Sequence, residues 1–251
     1  MSALVIARRE LYALFLSPMA WAVLAVVTFI LGWIFLVQVD AFMVVQSRLP
    51  SLEGAPGLTD LVAAPLFGTG AGVVLLIMPL LTMRLFAEER RSGTFDLLQS
   101  SPVSTLAIVL GKYLALLGFL ALVLALIAAM PLSLLVGGAL DGGQLAAGLL
   151  GVALMLASFA AVGLFISSLT AQPGVAAVLT YGVLLFFLIV QAAAKGEQDG
   201  GGLFEWLSMQ AHFAHLLEGL VRTGDLVFYV LLTAAALTLC VRRLELMRTE
   251  G

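Results

Sequence analysis

The chain has 251 residues, of which 62% are hydrophobic and 11% are charged, and its mean hydropathy is +1.14. A soluble domain uses about a quarter of its residues as charged exterior, so this composition excludes a soluble fold and predicts an all-α membrane protein. The net charge of −3 comes with 12 basic and 15 acidic residues, which excludes the concentrated basic surface of a nucleic-acid-binding protein.

Residues 1–17 are predicted to form a helix at a membrane interface. Arg8 and Arg9 interrupt an otherwise apolar segment, and residues 3–15 have the mixed character of an amphipathic helix. Pro18 is then expected near the start of the first membrane span, where its missing amide hydrogen costs nothing.

Charge-free runs define the spans, because a helix needs about 20 apolar residues to cross the hydrocarbon core. The runs cover residues 11–39, 61–83, 113–140, 142–194 and 226–241. The fourth run holds 53 residues, too many for one crossing, and the polar, proline- and glycine-containing stretch 167–174 predicts that it folds back there. The sequence therefore predicts six transmembrane helices.

The distribution of basic residues predicts the orientation. An even number of spans places both termini on one side, together with nine of the twelve basic residues, and this side is expected to be cytoplasmic. These nine are Arg8, Arg9, Arg84, Arg90, Arg91, Lys112, Arg242, Arg243 and Arg248.

The middle of each predicted span lacks ionisable residues. Ion-coupled carriers keep such residues at depth, so that class of transporter is disfavoured. The sequence contains no GxxxxGK[ST] motif, so a nucleotide that drives this protein is expected to bind another chain. Gly148 and Gly151 are three residues apart and are interpreted as ordinary small-residue packing positions.

A polar loop over residues 84–104 follows the second span. Arg84, Glu88 and Arg91 are spaced to pair on one helical face, and Gly93 is placed to end that helix. Two interpretations remain open here: a solvated extension of the second span, or a docking element whose apolar residues near Phe95 enter a partner.

Residues 195–225 form the predicted outer segment between helices five and six. Its apolar residues recur at helical spacing, which predicts an amphipathic or re-entrant helix at the outer interface. His212 and His215 lie three apart, the minimum geometry of a metal site, but no third ligand is near in sequence. We therefore favour hydrogen-bonded interfacial histidines over metal binding.

The stretch from Met83 to Ser104, followed by IVLGKY at 108–113, resembles a segment of type-2 ABC exporter permeases, particularly the gliding-motility-associated and copper-maturation branches. The resemblance continues in GLFISSLT at 163–170 and in the HFxxxxxG pattern at 212–219. It thus extends over most of the chain.

The resemblance implies one transmembrane domain over residues 1–251, paired with a second copy or a related permease in a bacterial inner membrane. A separate cytoplasmic ATPase would bind ATP and magnesium, so this chain would hold no cofactor and would not be an enzyme. In the family a coupling helix in the first cytoplasmic loop docks on the ATPase. The residues that this implies for docking are Glu88, Glu89, Arg90, Arg91, Gly93, Thr94 and Phe95.

The expected function is therefore that of a permease subunit, which couples ATP hydrolysis in a partner chain to export or to mechanical work. One alternative is a scaffold that transmits the same stroke to an outer or periplasmic partner without moving a substrate. A weaker alternative is an ion-coupled carrier. Membrane lipid is the remaining expected partner.

Overall fold

The computed structural model describes residues 2–46, 57–93, 103–136, 140–194 and 206–250. Within these ranges the regular structure is helical. A π-helix, Thr59–Ala63, leads into α3, and a 3-10 turn, Ser133–Val136, follows α5. The α-helices are α1 Ser2–Leu16, α2 Pro18–Gln46, α3 Ala64–Thr82, α4 Ala87–Arg91, α5 Thr105–Leu132, α6 Gly142–Leu169, α7 Pro173–Ala194, α8 Met209–Leu217 and α9 Thr223–Glu250.

The prediction of six spans is confirmed. Among the described residues, six helices are long and apolar enough to cross a membrane. They extend over Pro18–Gln46, Thr59–Arg91, Thr105–Leu135, Gly142–Leu169, Pro173–Val190 and Thr223–Arg248. The 53-residue run turns back where predicted, because α6 ends at Leu169 and Pro173 begins α7.

The N-terminal segment is a helix of its own, separated from the first span at Ser17. The Trp21 indole Nε1 donates a hydrogen bond to the Phe15 carbonyl oxygen at 2.8 Å, which fixes the bend between α1 and α2. Pro18 is the first residue of α2, as expected. The helix α1 packs along the first turns of α5, where Gly111 leaves room for Ile6. Its placement at a membrane interface stays a prediction.

Two ends of the helix bundle can be distinguished by their contacts. One end, here called the terminal face, holds α1, α4, the start of α5 and the end of α9, where Arg248 Nη1 donates to the Val103 carbonyl at 3.4 Å. The opposite end, here called the far face, holds α8 and the start of α9.

The helix α6 is the centre of the packing and contacts α3, α5, α7, α8 and α9. The glycines of α6 allow neighbouring helices to pack closely against it. A Cβ at Gly148 would lie 2.7 Å from the Phe67 ring, and one at Gly163 would lie 2.5 Å from Thr82 Oγ1. The same face at Gly151 receives Phe213 of α8. Small residues thus let neighbouring helices approach closely, which agrees with the interpretation of Gly148 and Gly151 as packing positions.

A matched pair of glycine substitutions tests this packing. We expect Gly148→Ala to destabilise the fold by about 1–3 kcal/mol, because the added methyl overlaps the buried Phe67 ring. Gly72→Ala in α3 is the control, since nothing lies within 4 Å of its Cβ position. Thermal unfolding of the purified protein in detergent measures both. Equal melting temperatures for the two variants would contradict the packing.

The outermost spans present apolar side chains to their surroundings. On α2, Phe29 is 76% and Trp33 is 65% exposed, and on α7, Val178 is 70% exposed. Such side chains are stable only against lipid or another apolar chain. The exposed apolar faces of α2 and α7 are therefore suited to contact with lipid or with another membrane helix.

Candidate functional site

The site is built around α4, the short helix that follows the second span. After α3 ends at Thr82, the chain turns inward so that Phe86 is completely buried and α4 begins at Ala87. The helix ends where predicted, because Gly93 adopts φ +71°, a left-handed conformation that favours glycine. The predicted docking residues Thr94 and Phe95 lie outside the described residues.

A serine from the end of α6 holds the start of α4. Ser167 Oγ accepts hydrogen bonds from the backbone amides of Phe86 at 3.1 Å and Ala87 at 3.2 Å, and donates to the Met83 carbonyl at 3.2 Å. First-turn amides of a helix lack internal acceptors, so this fully buried hydroxyl supplies one across the bundle. A movement of α4 would therefore pull directly on α6.

The second anchor is an ionic cluster around Lys112 of α5. Its Nζ lies 2.7 Å from Glu89 Oε1 and 3.3 Å from Glu10 Oε1, and its side chain is only 2% exposed. The ammonium also lies 5.3 Å from the centre of the Phe86 ring. One buried cation thus joins α4, α1 and α5, at a depth where an unpaired charge would be costly.

The third anchor is Arg90. Its Nη1 donates to the Ser168 carbonyl at 3.0 Å, at the end of α6, where helix carbonyl groups lack internal donors. Two of the predicted docking residues, Glu89 and Arg90, therefore point inward and fasten α4 to the bundle. The structure assigns them contacts within the chain.

The outward side of α4 carries the other described docking residues. Glu88, Arg91 and Gly93 are exposed, and Arg84 Nε lies 3.8 Å from Glu88 Oε2, as their spacing predicts. An open groove of about 440 Å³ runs between this side and the α6–α7 turn at Pro173. We call it the α4 groove. Its mixed charges and open shape suit a polar protein surface.

The two histidines of the far face share one carboxylate. His212 Nδ1 lies 2.6 Å from Asp225 Oδ1, and His215 Nδ1 lies 3.3 Å from Asp225 Oδ2. The other ring nitrogens also have neighbours: the Trp206 carbonyl at 3.0 Å from His212 and Arg222 Nη1 at 3.3 Å from His215. The cluster therefore ties α8 to the start of α9.

This geometry predicts the outcome of a metal titration. The described residues contain no group of three or more histidine, cysteine or carboxylate residues arranged to hold a metal ion. Isothermal titration of the protein with zinc or copper is expected to give no saturable heat, because metal would have to displace the contacts of His212 and His215. Saturable heat that His212→Ala and His215→Ala remove would contradict this expectation.

The predicted outer segment contains α8, and the structure defines the neighbours of this helix. In α8, Met209, Phe213 and Leu216 are buried, and Tyr229 Oη of α9 donates to the Met209 carbonyl at 2.7 Å. The apolar face of α8 therefore packs on the bundle. Its position relative to a bilayer stays a prediction.

Sequence reasoning missed three residues that organise these sites: Ser167, Lys112 and Asp225. Ser167 was assigned to a polar turn and to the GLFISSLT stretch, and Lys112 to the basic residues that set orientation and to the IVLGKY stretch; neither was given a contact. A usable signal existed for Lys112, since it follows Gly111 in a long apolar run where a lysine needs acidic partners. The identity of those partners requires the fold.

No curated protein matches the chain significantly. A family model described as ABC-2 family transporter protein matches residues 53–240, which is more than half of the sequence. The matched region includes α4 with its anchors on α5 and α6, four complete candidate spans and most of the last one. The chain therefore belongs to the ABC-2 family of transporter proteins and is the multi-pass membrane subunit of an ABC transporter, a family that implies a partner ABC ATPase.

Proposed function

We propose that this chain is a permease subunit that couples ATP hydrolysis in a separate cytoplasmic ATPase to export or to mechanical work across a bacterial inner membrane. The terminal face would be cytoplasmic, in accord with its excess of basic residues. ATP and magnesium would bind the partner, and this chain would be non-catalytic. Family membership supports the transporter assignment and argues against an ion-coupled carrier.

The observation that supports the proposal is the set of contacts that hold α4 against the helix bundle. Its inward side is fastened to α6 through Ser167 and Arg90, and to α5 and α1 through Lys112. Its outward side is exposed and borders the α4 groove. A partner that seats in this groove would therefore transmit a displacement to three helices, since packed helices move as rigid bodies.

The partner arrangement follows from the same proposal. Two subunits, either two copies or this chain with a related permease, would each dock one ATPase, and the closing ATPase pair would drive both α4 helices together. The exposed apolar faces of α2 and α7 offer area for a second subunit as well as for lipid. The gliding-motility-associated and copper-maturation branches remain our proposed placement within the family, on the sequence segments that resemble them.

Reconstitution separates export from mechanical work. The chain is co-purified with its ATPase partner, placed in proteoliposomes and supplied with ATP, and both ATP turnover and movement of candidate solutes are measured. We expect ATP turnover that depends on both chains and stops when the P-loop lysine of the partner is replaced. Solute movement supports export, whereas stimulation only by an added outer protein supports transmission to a periplasmic partner. ATP hydrolysis by this chain alone would contradict the proposal.

A further inference from the structure

A second cavity opens on the terminal face beside the α4 groove, with which it shares Arg84 and Glu88. It has a volume of about 260 Å³, is open on one side, and is lined by α1, the start of α2, the end of α3, α4 and Lys112 of α5. Its apolar walls include Leu14 of α1 and Leu80 and Leu81 of α3. Arg8 and Arg9 line a different groove, on another side of α1. We call this space the α1–α3 cavity.

The cavity lies where the apolar spans end. Met19 and Ala20 from the first turn of α2 line it, as do Leu80 and Leu81 from the last turn of α3. Immediately beyond begins the charged helix α4. We expect this level to lie at the boundary between hydrocarbon and headgroups, and the nearby Trp21 is a residue typical of that boundary. The apolar part of the cavity would then lie at acyl-chain depth and its charged part at headgroup depth.

The charged part contains three carboxylates and two cations. Glu10 and Glu89 are engaged by Lys112, at 3.3 and 2.7 Å. The other two charged side chains, Glu88 and Arg84, are each about half exposed. Arg84 Nε lies 3.8 Å from Glu88 Oε2, which is longer than the usual 2.7–2.9 Å of a charge-assisted hydrogen bond. These two side chains therefore retain capacity for a ligand that carries both a positive and a negative group.

We propose that the α1–α3 cavity binds one phospholipid whose headgroup carries a primary ammonium, of the phosphatidylethanolamine type. The ammonium donates hydrogen bonds to Glu88, the phosphate accepts from Arg84, and the acyl chains begin along Leu14 and Leu80. The excess of one negative charge around the cavity disfavours an anionic headgroup. A choline headgroup lacks N–H donors and therefore cannot donate a hydrogen bond to Glu88. Glu88 also borders the α4 groove, so the test below uses the chain without the ATPase and its outcome does not depend on docking.

Native mass spectrometry of the purified full chain in detergent tests the proposal. Phosphatidylethanolamine, phosphatidylcholine and phosphatidylglycerol with identical acyl chains are added at equal concentration, and the bound fraction of each is measured. We expect one phosphatidylethanolamine to be retained about fivefold or more above either competitor, the effect of roughly one hydrogen bond. Equal retention of the three lipids would overturn the proposal, because it indicates annular contact only. Preference for phosphatidylglycerol would overturn it as well.

Two variants locate the bound lipid. Ala13→Trp fills the cavity from the exposed side of α1 and is expected to abolish selective retention, whereas Leu4→Trp, exposed on the same helix, is the control and retains it. Glu88→Lys reverses an exposed charge without disturbing packing and is expected to shift the preference to phosphatidylglycerol. Unchanged phosphatidylethanolamine selectivity in both Ala13→Trp and Glu88→Lys would overturn the assignment to this cavity.

Discussion

Lys112→Met is expected to destabilise the protein by about 3 kcal/mol and to abolish ATP turnover stimulated by the permease. Methionine keeps the packing of the lysine stem, so the main loss is the ammonium between Glu89 and Glu10. The expected cost lies at the low end for a broken buried ion pair, because these carboxylates are 23% and 19% exposed. Thermal unfolding in detergent and ATPase assays of the reconstituted complex measure the two effects.

A triple variant separates charge from packing. Lys112→Met combined with Glu10→Gln and Glu89→Gln removes all three charges of the cluster. Replacing a complete buried ionic group by neutral residues is often close to neutral in stability. We therefore expect the triple variant to regain most of the melting temperature that Lys112→Met loses. If the triple variant unfolds at the same temperature as the single variant, the ionic account of the cluster is wrong.

The paired exchange Glu88→Arg with Arg91→Glu is expected to weaken association with the partner ATPase at least about tenfold, because like charges would meet across the α4 groove. The exchange preserves net charge and an acid–base pair three residues apart on α4. Both residues are exposed, so the fold should be retained. Co-purification at increasing salt and stimulated ATP turnover measure the loss.

Asp40→Arg is the control for this exchange. Asp40 is an exposed charge on the distal half of α2, far along the chain from α4. Its reversal should leave co-purification unchanged. Glu89 is deliberately kept in both variants, since a change there would disturb the Lys112 cluster and mix a folding defect with a docking defect. Normal ATPase association of the exchange variant would refute docking through the outward side of α4.

The sequence predicted the helical architecture because the membrane imposes simple rules. Each crossing needs about 20 apolar residues, and a 53-residue apolar run must therefore fold back. Pro173 and Gly93 mark helix boundaries through backbone preferences that depend on one residue alone. Local chemistry of this kind is readable without knowing the neighbouring helices.

The arrangement of the site was only partly predictable. The position of α4 and its acid–base spacing could be predicted from the sequence of the loop. The sequence did not show that Glu88 and Arg91 face outward while Glu89 and Arg90 contact the bundle. Successive residues of a helix point in different directions, and which direction faces the bundle depends on partners in distant helices. Ser167 lies 80 residues from the Ala87 amide that it caps. Contacts of this range arise from the packing of α6 against α3.

Photo-cross-linking from the outward side of α4 tests the central claim most directly. A photoreactive amino acid is placed at Ser92, which is exposed at the end of α4, and at Leu220, which is exposed on the far face and serves as the control. Cells that co-produce the ATPase are irradiated. A permease–ATPase adduct from position 92 and none from position 220 is the predicted result. An adduct only from position 220, or none from either position, would contradict the claim that the ATPase docks on α4 and moves the bundle through it.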